Sequence, residues 1–178
     1  MTVLEAIHAR VSSRAYASTP VSAAEIDALL RAAVRAPTAM HAEPWVFVII
    51  QDPARLQQLS DAMKSGVLAK ALAIGMIDAN YNPFYGAGTL IAIGARNQGP
   101  FIEADCWLAA ENLMLAATAA GLGTCCIGSA VGALNDPAVK AAIGLPANVR
   151  VIVPIIAGHA AEIMPPTPRR DPEIAAWL

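Results

Sequence analysis

The 178-residue chain predicts an α+β fold, because strands and helices follow one another without a repeating strand–helix unit. Three apolar runs have the length of buried strands, at residues 45–50, 89–94 and 149–158. Their irregular spacing argues against a doubly wound parallel sheet. Neither an internal repeat nor a linker interrupts the chain, so we expect a single domain over residues 1–178.

The composition indicates that much of the surface is buried against another molecule. Hydrophobic residues make up 56% of the chain and charged residues 15%, whereas a typical domain has about 25% charged residues. So little charge favours either a membrane protein or an obligate oligomer, whose interface is as apolar as a core. The uncharged run over residues 112–135 is long enough to span a bilayer, but it contains four glycines and lacks a flanking basic cluster. We therefore expect an obligate oligomer and no membrane segment.

The start of the chain and its cysteines indicate a reducing, cytoplasmic location. A polar, charged segment follows Met1, so a signal peptide is not expected. The three cysteines, Cys106, Cys125 and Cys126, are odd in number and lack metal-ligand spacing. We interpret Cys125 and Cys126 as small buried residues rather than as a redox pair. The net charge of −2 and the scattered basic residues argue against a nucleic-acid partner.

Local signals place the ends of several helices. Residues 3–9 predict a short helix, and Ser22 with Glu25 forms a capping box that begins a second one. The second helix is expected to end near Arg35, because Pro37 disfavours a helical conformation in the residue before it. Further helices are predicted from residue 53 to about residue 65, over residues 102–120, and from residue 137 to about residue 144.

Four other segments carry predictions that depend on tertiary structure. Residues 102–120 are apolar nearly all round, so this helix is expected in the centre of the protein or at a subunit interface. Residues 121–129 are rich in glycine and are predicted to form a loop. Residues 67–83 fit two interpretations, a lid over a site or a plain interface helix. Pro154 lies within the third strand and is expected only at a sheet edge or a bulge.

Few side chains are able to catalyse a reaction by themselves. The histidines are His8, His41 and His159, and the chain has no nucleophile elbow, no His-Glu-x-x-His zinc motif and no phosphate loop. The Gly-Leu-Gly at residues 121–123 lacks the third glycine of a dinucleotide fingerprint. If the protein is an enzyme, we therefore expect a bound cofactor to supply the chemistry.

Two basic sites at opposite ends of the chain indicate an anionic ligand. Arg10 and Arg14 flank two serines in a basic turn predicted after the first helix, and their guanidinium groups suit phosphate oxygens. Arg169 and Arg170 form the second site. Either pair alone is more simply explained as a solvated surface. Together with a glycine-rich loop whose amides can face a flat ring, they predict an anionic, ring-bearing cofactor.

Five stretches, in order and over nearly the whole chain, resemble motifs of the nitroreductase family of flavin mononucleotide (FMN) enzymes. They are Arg-Val-Ser-Ser-Arg at residues 10–14, Ala-Pro-Thr-Ala-Met-His-Ala-Glu-Pro-Trp at 36–45, Phe-Tyr-Gly-Ala at 84–87, Gly-Leu-Gly-Thr with Ile-Gly at 121–128, and Pro-Arg-Arg at 168–170. Each motif is weak alone, whereas five in order are specific. The chain departs from the family pattern at Val11, where arginine is usual, and at His41 and Glu43, where asparagine and glutamine are usual.

The resemblance implies a nitroreductase-like fold, with a central mixed, mostly antiparallel sheet flanked by helices, and a domain-swapped homodimer with FMN at the subunit interface. It also implies three groups of cofactor-binding residues and no metal. The phosphate group would be held by the motif that contains Arg10, Val11, Ser12 and Arg14, together with Arg169 or Arg170. The flavin would be contacted from the other subunit by Pro37, Thr38, Ala39 and His41, and at its ring edge by the backbone of Ile127, Gly128 and Ser129.

The implied activity is hydride transfer from NADH or NADPH to flavin N5, followed by reduction of a flat, electron-poor acceptor such as a nitroaromatic or a quinone. This ping-pong scheme requires no side chain as acid or base. The family also covers dehalogenation and oxidative dehydrogenation. One alternative is a non-enzymatic flavin-binding or storage protein with the same fold. Another is a membrane or purely structural helical protein that binds no flavin. The choice between NADH and NADPH and the physiological acceptor stay open.

Overall fold

The computed structural model describes residues 1–162 and 164–178. Its helices and strands, in chain order, are α1 Val3–Ala9, α2 Ala23–Ala33, a 3-10 turn Ala39–His41, β1 Trp45–Ile50, α3 Pro53–Ser65, α4 Ala69–Ala73, β2 Thr89–Ala95, α5 Ile102–Ala119, β3 Leu122–Cys126, α6 Ala130–Asn135, α7 Pro137–Ile143 and β4 Arg150–His159.

The four strands form one sheet in the order β1-β2-β4-β3, and each pair of neighbouring strands is antiparallel. Only an isolated bridge between Ser12 and Thr124 is parallel within the described chain. Helices cover both faces of the sheet. The predicted α+β fold is therefore confirmed.

Alternate residues of the central strands supply two apolar cores, one on each face of the sheet. Ile91 and Ile155 face the core that includes Leu113 of α5. Leu90 and Ile156 face the second core, which is closed by residues of α3, α6 and α7. Because successive side chains of a strand point to opposite faces, a strand buried on both faces has an apolar sequence without alternation.

The helix ends follow the local signals with small differences. The Ser22 amide donates to Glu25 Oε2 (2.7 Å) and the Glu25 amide donates to Ser22 Oγ (3.2 Å), so the predicted capping box is present. Helix α2 ends at Ala33, slightly before the predicted end. The next two amides, of Arg35 and Ala36, bond to carbonyls three residues back, because the last turn tightens before the proline.

Strand β1 is less buried than its sequence predicts. Its residues from Trp45 to Ile49 are half-buried and only Ile50 is buried. The expectation that both faces are fully covered is wrong for this chain alone, because β1 lies at the edge of the sheet and pairs only with β2. Its outer edge carries no strand among the described residues.

The glycine-rich residues 121–129 contain a strand, which corrects the prediction of a loop. Residues 122–126 pair with β4 from Leu122 opposite His159 to Cys126 opposite Ile155. Only the residues on either side of β3 form turns. The one glycine in this strand, Gly123, is required by the close packing of another chain segment against it.

Pro154 lies inside β4, a strand with neighbours on both sides, so the expectation of a sheet edge is wrong for the strand as a whole. Strand β3 ends at Cys126, however, and the Pro154 carbonyl accepts a hydrogen bond from the Ile127 amide (2.8 Å). The missing N–H of Pro154 therefore faces the end of β3. The register between β2 and β4 also shifts between Ile93 and Gly94, so a bulge of the kind predicted for Pro154 occurs close to it in the same strand pair.

The predicted apolar helix is confirmed as α5, and one side of it is exposed. Leu113 is fully buried, whereas Trp107 and Leu108 keep nearly half of their surface exposed (48% and 46%). Leu4 and Ile7 of the neighbouring α1 are exposed as well. Residues 67–83 contain only the short helix α4, none of whose residues is buried. In the part of the chain that the structure describes, we find no helix with the length and apolarity needed to cross a membrane.

Candidate cofactor site

The segment with Arg10 and Arg14 is extended, which corrects the prediction of a basic turn. The Ser13 amide donates to the Thr124 carbonyl (2.9 Å), and the Ala17 amide donates to the His159 carbonyl (2.8 Å). The segment therefore runs along β3 and the end of β4. An extended backbone advances about 3.3 Å per residue, so the Cα atoms of Arg10 and Arg14 lie about 13 Å apart.

Two glycines permit the close approach of this segment to the sheet. A Cβ atom added to Gly123 would lie 2.5 Å from Ser13 Oγ and 2.7 Å from Ser13 Cβ. A Cβ atom on Gly158 would lie 2.7 Å from the Tyr16 ring. Both distances are far below contact distance. Gly123, the second glycine of the Gly-Leu-Gly motif, therefore allows the segment with Arg10 and Arg14 to pack directly on the sheet.

Arginines from the two ends of the chain line one cavity. Arg10 and Arg169 share a cavity of about 870 Å³ with His8 and Glu111. Of the residues predicted to bind phosphate, only Arg10 and Arg169 are in this lining; Arg170 is exposed in the terminal tail. Two guanidinium groups and an imidazole form a donor set that suits a phosphate.

Arg14 lies beside an aromatic pair. Its guanidinium carbon is 5.9 Å from the centroid of the Tyr85 ring, a cation–π distance. The Tyr81 hydroxyl donates to the Tyr85 hydroxyl (3.2 Å), and the two rings are perpendicular. Burial, followed by this hydrogen bond, raises the pKa of Tyr81 to about 12, so the Tyr81 hydroxyl stays a neutral donor. Sequence periodicity gives no signal for the contact between Tyr85 and Arg14.

The loop of residues 37–44, which we call the 37–44 loop, contains the predicted ring-contacting residues Pro37, Thr38, Ala39 and His41. Three of its residues have left-handed backbone angles: Met40 (φ 56°), His41 (φ 52°) and Glu43 (φ 42°). Such conformations cost about 1–3 kcal/mol each for residues other than glycine and are common at functional sites. The His41 side chain is exposed.

Two hydrogen bonds to side chains hold the 37–44 loop. The Glu43 amide donates to Thr38 Oγ1 (3.4 Å), and the Ala39 amide donates to Asp105 Oδ1 (3.1 Å). Asp105 belongs to α5, and sequence analysis did not identify it. No hydrogen bond joins this loop to residues 10–14 within the described chain.

The turn after β3 presents backbone amides. Ile127 is buried and its amide donates to the Pro154 carbonyl, so this amide is already used. The amides of Gly128 and Ser129 have no hydrogen-bond acceptor within residues 1–162 and 164–178. The structure therefore leaves two of the three predicted positions able to donate from the backbone.

Burial makes the thiols of Cys106 and Cys126 unreactive near neutral pH. All three cysteines are free, and burial raises the pKa of the Cys126 thiol to about 11, as it does for Cys106. Thiolate is the reactive form, and at pH 8 only about one Cys126 thiol in a thousand would be ionised. The described residues also contain no cluster of three His, Cys, Asp or Glu side chains that is able to hold a metal ion.

We expect Cys126 in the native protein to react slowly with an aromatic disulfide reagent at pH 8. Its rate should rise about tenfold per pH unit towards pH 11, because the thiolate fraction rises in that proportion. Native stability should fall as the pH rises from 9 towards 11, because the native thiol keeps a proton that the unfolded chain releases. Rapid labelling of native Cys126 at pH 7 would contradict this prediction; denatured protein supplies the reference rate.

Comparisons with known proteins agree with this arrangement. The model of the Nitroreductase family matches residues 7–159. A protein of Archaeoglobus fulgidus named "Putative NADH dehydrogenase/NAD(P)H nitroreductase" is 26% identical over 88% of this chain and 84% of its own length. One of the same name from Methanothermobacter thermautotrophicus is 29% identical over 91% of this chain and 79% of its own length.

A solved structure shows the same architecture. The crystal structure of a nitroreductase with bound FMN from Bacteroides fragilis superposes with a TM-score of 0.88 and 28% identity, over 100% of both chains. The family match covers most of the chain, including the arginine segment, the 37–44 loop and the sheet. The chain therefore belongs to the Nitroreductase family.

Proposed function

We propose that this protein is an FMN-dependent oxidoreductase that uses NADH or NADPH as electron donor. The observation that carries the proposal is the cavity between Arg10 and Arg169, which joins the two ends of the chain in a phosphate-suited donor set. The likeness to a nitroreductase crystallised with FMN supports the identity of the cofactor. The names of the curated relatives support NAD(P)H as the donor.

We assign different residues to the phosphate group and to the ring of FMN. Arg10 and Arg169 would hold the phosphate group, together with Ser12 of the same segment as Arg10. Arg14, which lies beside the Tyr85 ring, would add a further positive charge from this segment. The amides of Gly128 and Ser129 are suited to the polar edge of the ring, where they favour the negative charge that a reduced flavin carries. When bound, FMN supplies a hydride acceptor at N5.

The acceptor we propose is a flat, electron-poor molecule of the nitroaromatic or quinone type, reduced in alternation with oxidation of NAD(P)H. No side chain at the site has to act as acid or base in this scheme. The 37–44 loop is largely exposed in one chain, which leaves room for a second flat molecule next to the ring.

We further propose one domain over residues 1–178, a domain-swapped homodimer and a reducing, cytoplasmic location. Three observations support the dimer: the exposed apolar side chains of α1 and α5, the half-buried edge strand β1, and the exposed terminal tail. In such a dimer the 37–44 loop of one subunit would contact the flavin held by the arginines of the other. The three free cysteines fit a reducing compartment.

A non-enzymatic flavin-binding protein is the second candidate. The observation that favours it is the pair of departures at His41 and Glu43, both held in left-handed conformations. An imidazole and a carboxylate at these positions replace the uncharged amides that the family pattern leads us to expect. Flavin binding would survive this change, whereas reaction with a nicotinamide would not.

The test is the absorbance spectrum of the purified protein before and after anaerobic addition of NADH or NADPH. Flavin bands that bleach with either donor are the expected result. Bands that persist with both donors would favour the flavin-binding protein over the oxidoreductase. Protein that stays colourless after incubation with excess FMN would overturn both candidates, and free FMN without protein serves as the control for bleaching.

A further inference from the structure

We propose that Asp105 is a positioning residue, which holds the 37–44 loop in the conformation that contacts the flavin ring. The inference rests on the proposed function. It assigns a role to a side chain that lies outside all five motif-like stretches of the sequence.

The surroundings of Asp105 are unusual for a carboxylate. Asp105 is only 3% exposed, and it forms no ion pair among the described residues. A buried carboxylate is costly unless hydrogen bonds compensate for its lost hydration. Here it accepts the Ala39 amide (3.1 Å) and lies in the first turn of α5, where the helix dipole favours a negative charge.

The loop requires such an anchor, because its own conformation is unfavourable. Met40, His41 and Glu43 all have positive φ angles, and two of them follow Ala39 directly. A residue other than glycine keeps this conformation only where the surroundings impose it. The hydrogen bond from Ala39 to α5 spans 66 residues of sequence and ties the start of the strained stretch to the most buried helix.

The consequence for binding concerns the ring and not the phosphate. The phosphate-suited arginines lie on other elements, and no hydrogen bond connects them to this loop within the described chain. Riboflavin has the same ring as FMN but no phosphate. Loss of the anchor should therefore weaken the binding of FMN and of riboflavin by the same factor. Loss of a phosphate contact should weaken the binding of FMN alone.

Two variants remove the same hydrogen bond from opposite ends. Asp105→Ala deletes the acceptor, and Ala39→Pro deletes the donor at the first residue of the 3-10 turn, where proline is tolerated. Asp105→Asn keeps an oxygen at the acceptor position and is the conservative rescue variant. Asn112→Ala is the matched control, because Asn112 also lies on α5 and its side-chain amide donates to the backbone of another segment, the Ala32 carbonyl (3.3 Å).

We expect Asp105→Ala and Ala39→Pro to lower the affinity for both FMN and riboflavin by about tenfold or more. The ratio of FMN to riboflavin affinity should be unchanged, and the fluorescence of bound flavin should be less quenched. Asp105→Asn and Asn112→Ala should stay within about twofold of the wild type. Fluorescence titration with the two flavins gives the affinities, and thermal unfolding shows whether each variant is folded.

Three outcomes would overturn the proposal. The first is wild-type riboflavin affinity in either folded variant, and the second is a loss confined to FMN. The third is an equal loss in Asn112→Ala, which would show a general effect of disturbing α5. If Asp105→Ala does not fold, Ala39→Pro decides alone. Failure of the wild-type protein to bind either flavin would instead refute the proposed function itself.

Discussion

Replacing Arg10 and Arg169 together with alanine is expected to prevent stoichiometric FMN binding, while the protein keeps its fold. Both side chains line the same cavity although they come from opposite ends of the chain. A hydrogen bond to a charged group contributes about 1.5–3 kcal/mol, and each 1.4 kcal/mol is about tenfold in affinity. Each single variant should lose about 10- to 100-fold in FMN affinity, and the double variant should lose more.

Riboflavin is the ligand that makes this result specific. Because riboflavin has no phosphate, its affinity should be unchanged in the double variant, as measured by fluorescence titration beside FMN. Arg31→Ala is a suitable control, since Arg31 is a surface arginine that pairs with Asp27 (2.6 Å) and neither residue lines the cavity. Full FMN occupancy in the double variant would refute the phosphate assignment.

The substitution Gly123→Ala is expected to destabilise the protein by about 1–3 kcal/mol and to weaken FMN binding. The added Cβ would meet Ser13 Cβ at 2.7 Å and Ala160 Cβ at 3.3 Å, and these atoms are fixed to the backbone. The segment of residues 10–16 would therefore have to move off β3 and carry Arg10 with it. Chemical denaturation measures the loss of stability, and titration with FMN measures the loss of affinity.

A compensating change separates this clash from a general effect of alanine in a strand. Ser13→Gly removes the two nearest atoms that the new methyl group meets and leaves only Ala160 Cβ (3.3 Å), so the double variant should recover part of the lost stability. Gly132→Ala is the matched control, because a Cβ at that helical glycine meets no atom within 4 Å. It should be neutral or stabilising by up to about 1 kcal/mol. A Gly123→Ala protein as stable as the wild type would contradict the packing described for β3.

The helices were predictable because their ends depend on contacts between residues close in sequence. Ser22 and Glu25 are three residues apart, and their reciprocal hydrogen bonds form as expected. Asp52 and Asp136 cap α3 and α7, each followed by a proline, again as the sequence predicts. The burial of β1 was not predictable in the same way, because it depends on which strand lies at the edge of the sheet.

The candidate site was predictable as segments but not as an arrangement. Arg10 and Arg14 were identified together, yet Arg10 lines a cavity with Arg169 while Arg14 lies beside Tyr85. An extended backbone separates side chains that a turn would have gathered. Asp105 was missed, because a carboxylate in an apolar helix has no sequence signal until the amide that it accepts is known.

The fold class, the helix ends and, through the order of five motif-like stretches, the family and the expected cofactor could all be predicted from the sequence. These features follow from local interactions and from the linear order of residues. Three other features emerged from the folded chain: residues 122–126 form a strand, Gly123 packs against Ser13, and Asp105 accepts the Ala39 amide of the 37–44 loop. Each of them depends on how closely segments distant in sequence approach one another, which is set by packing.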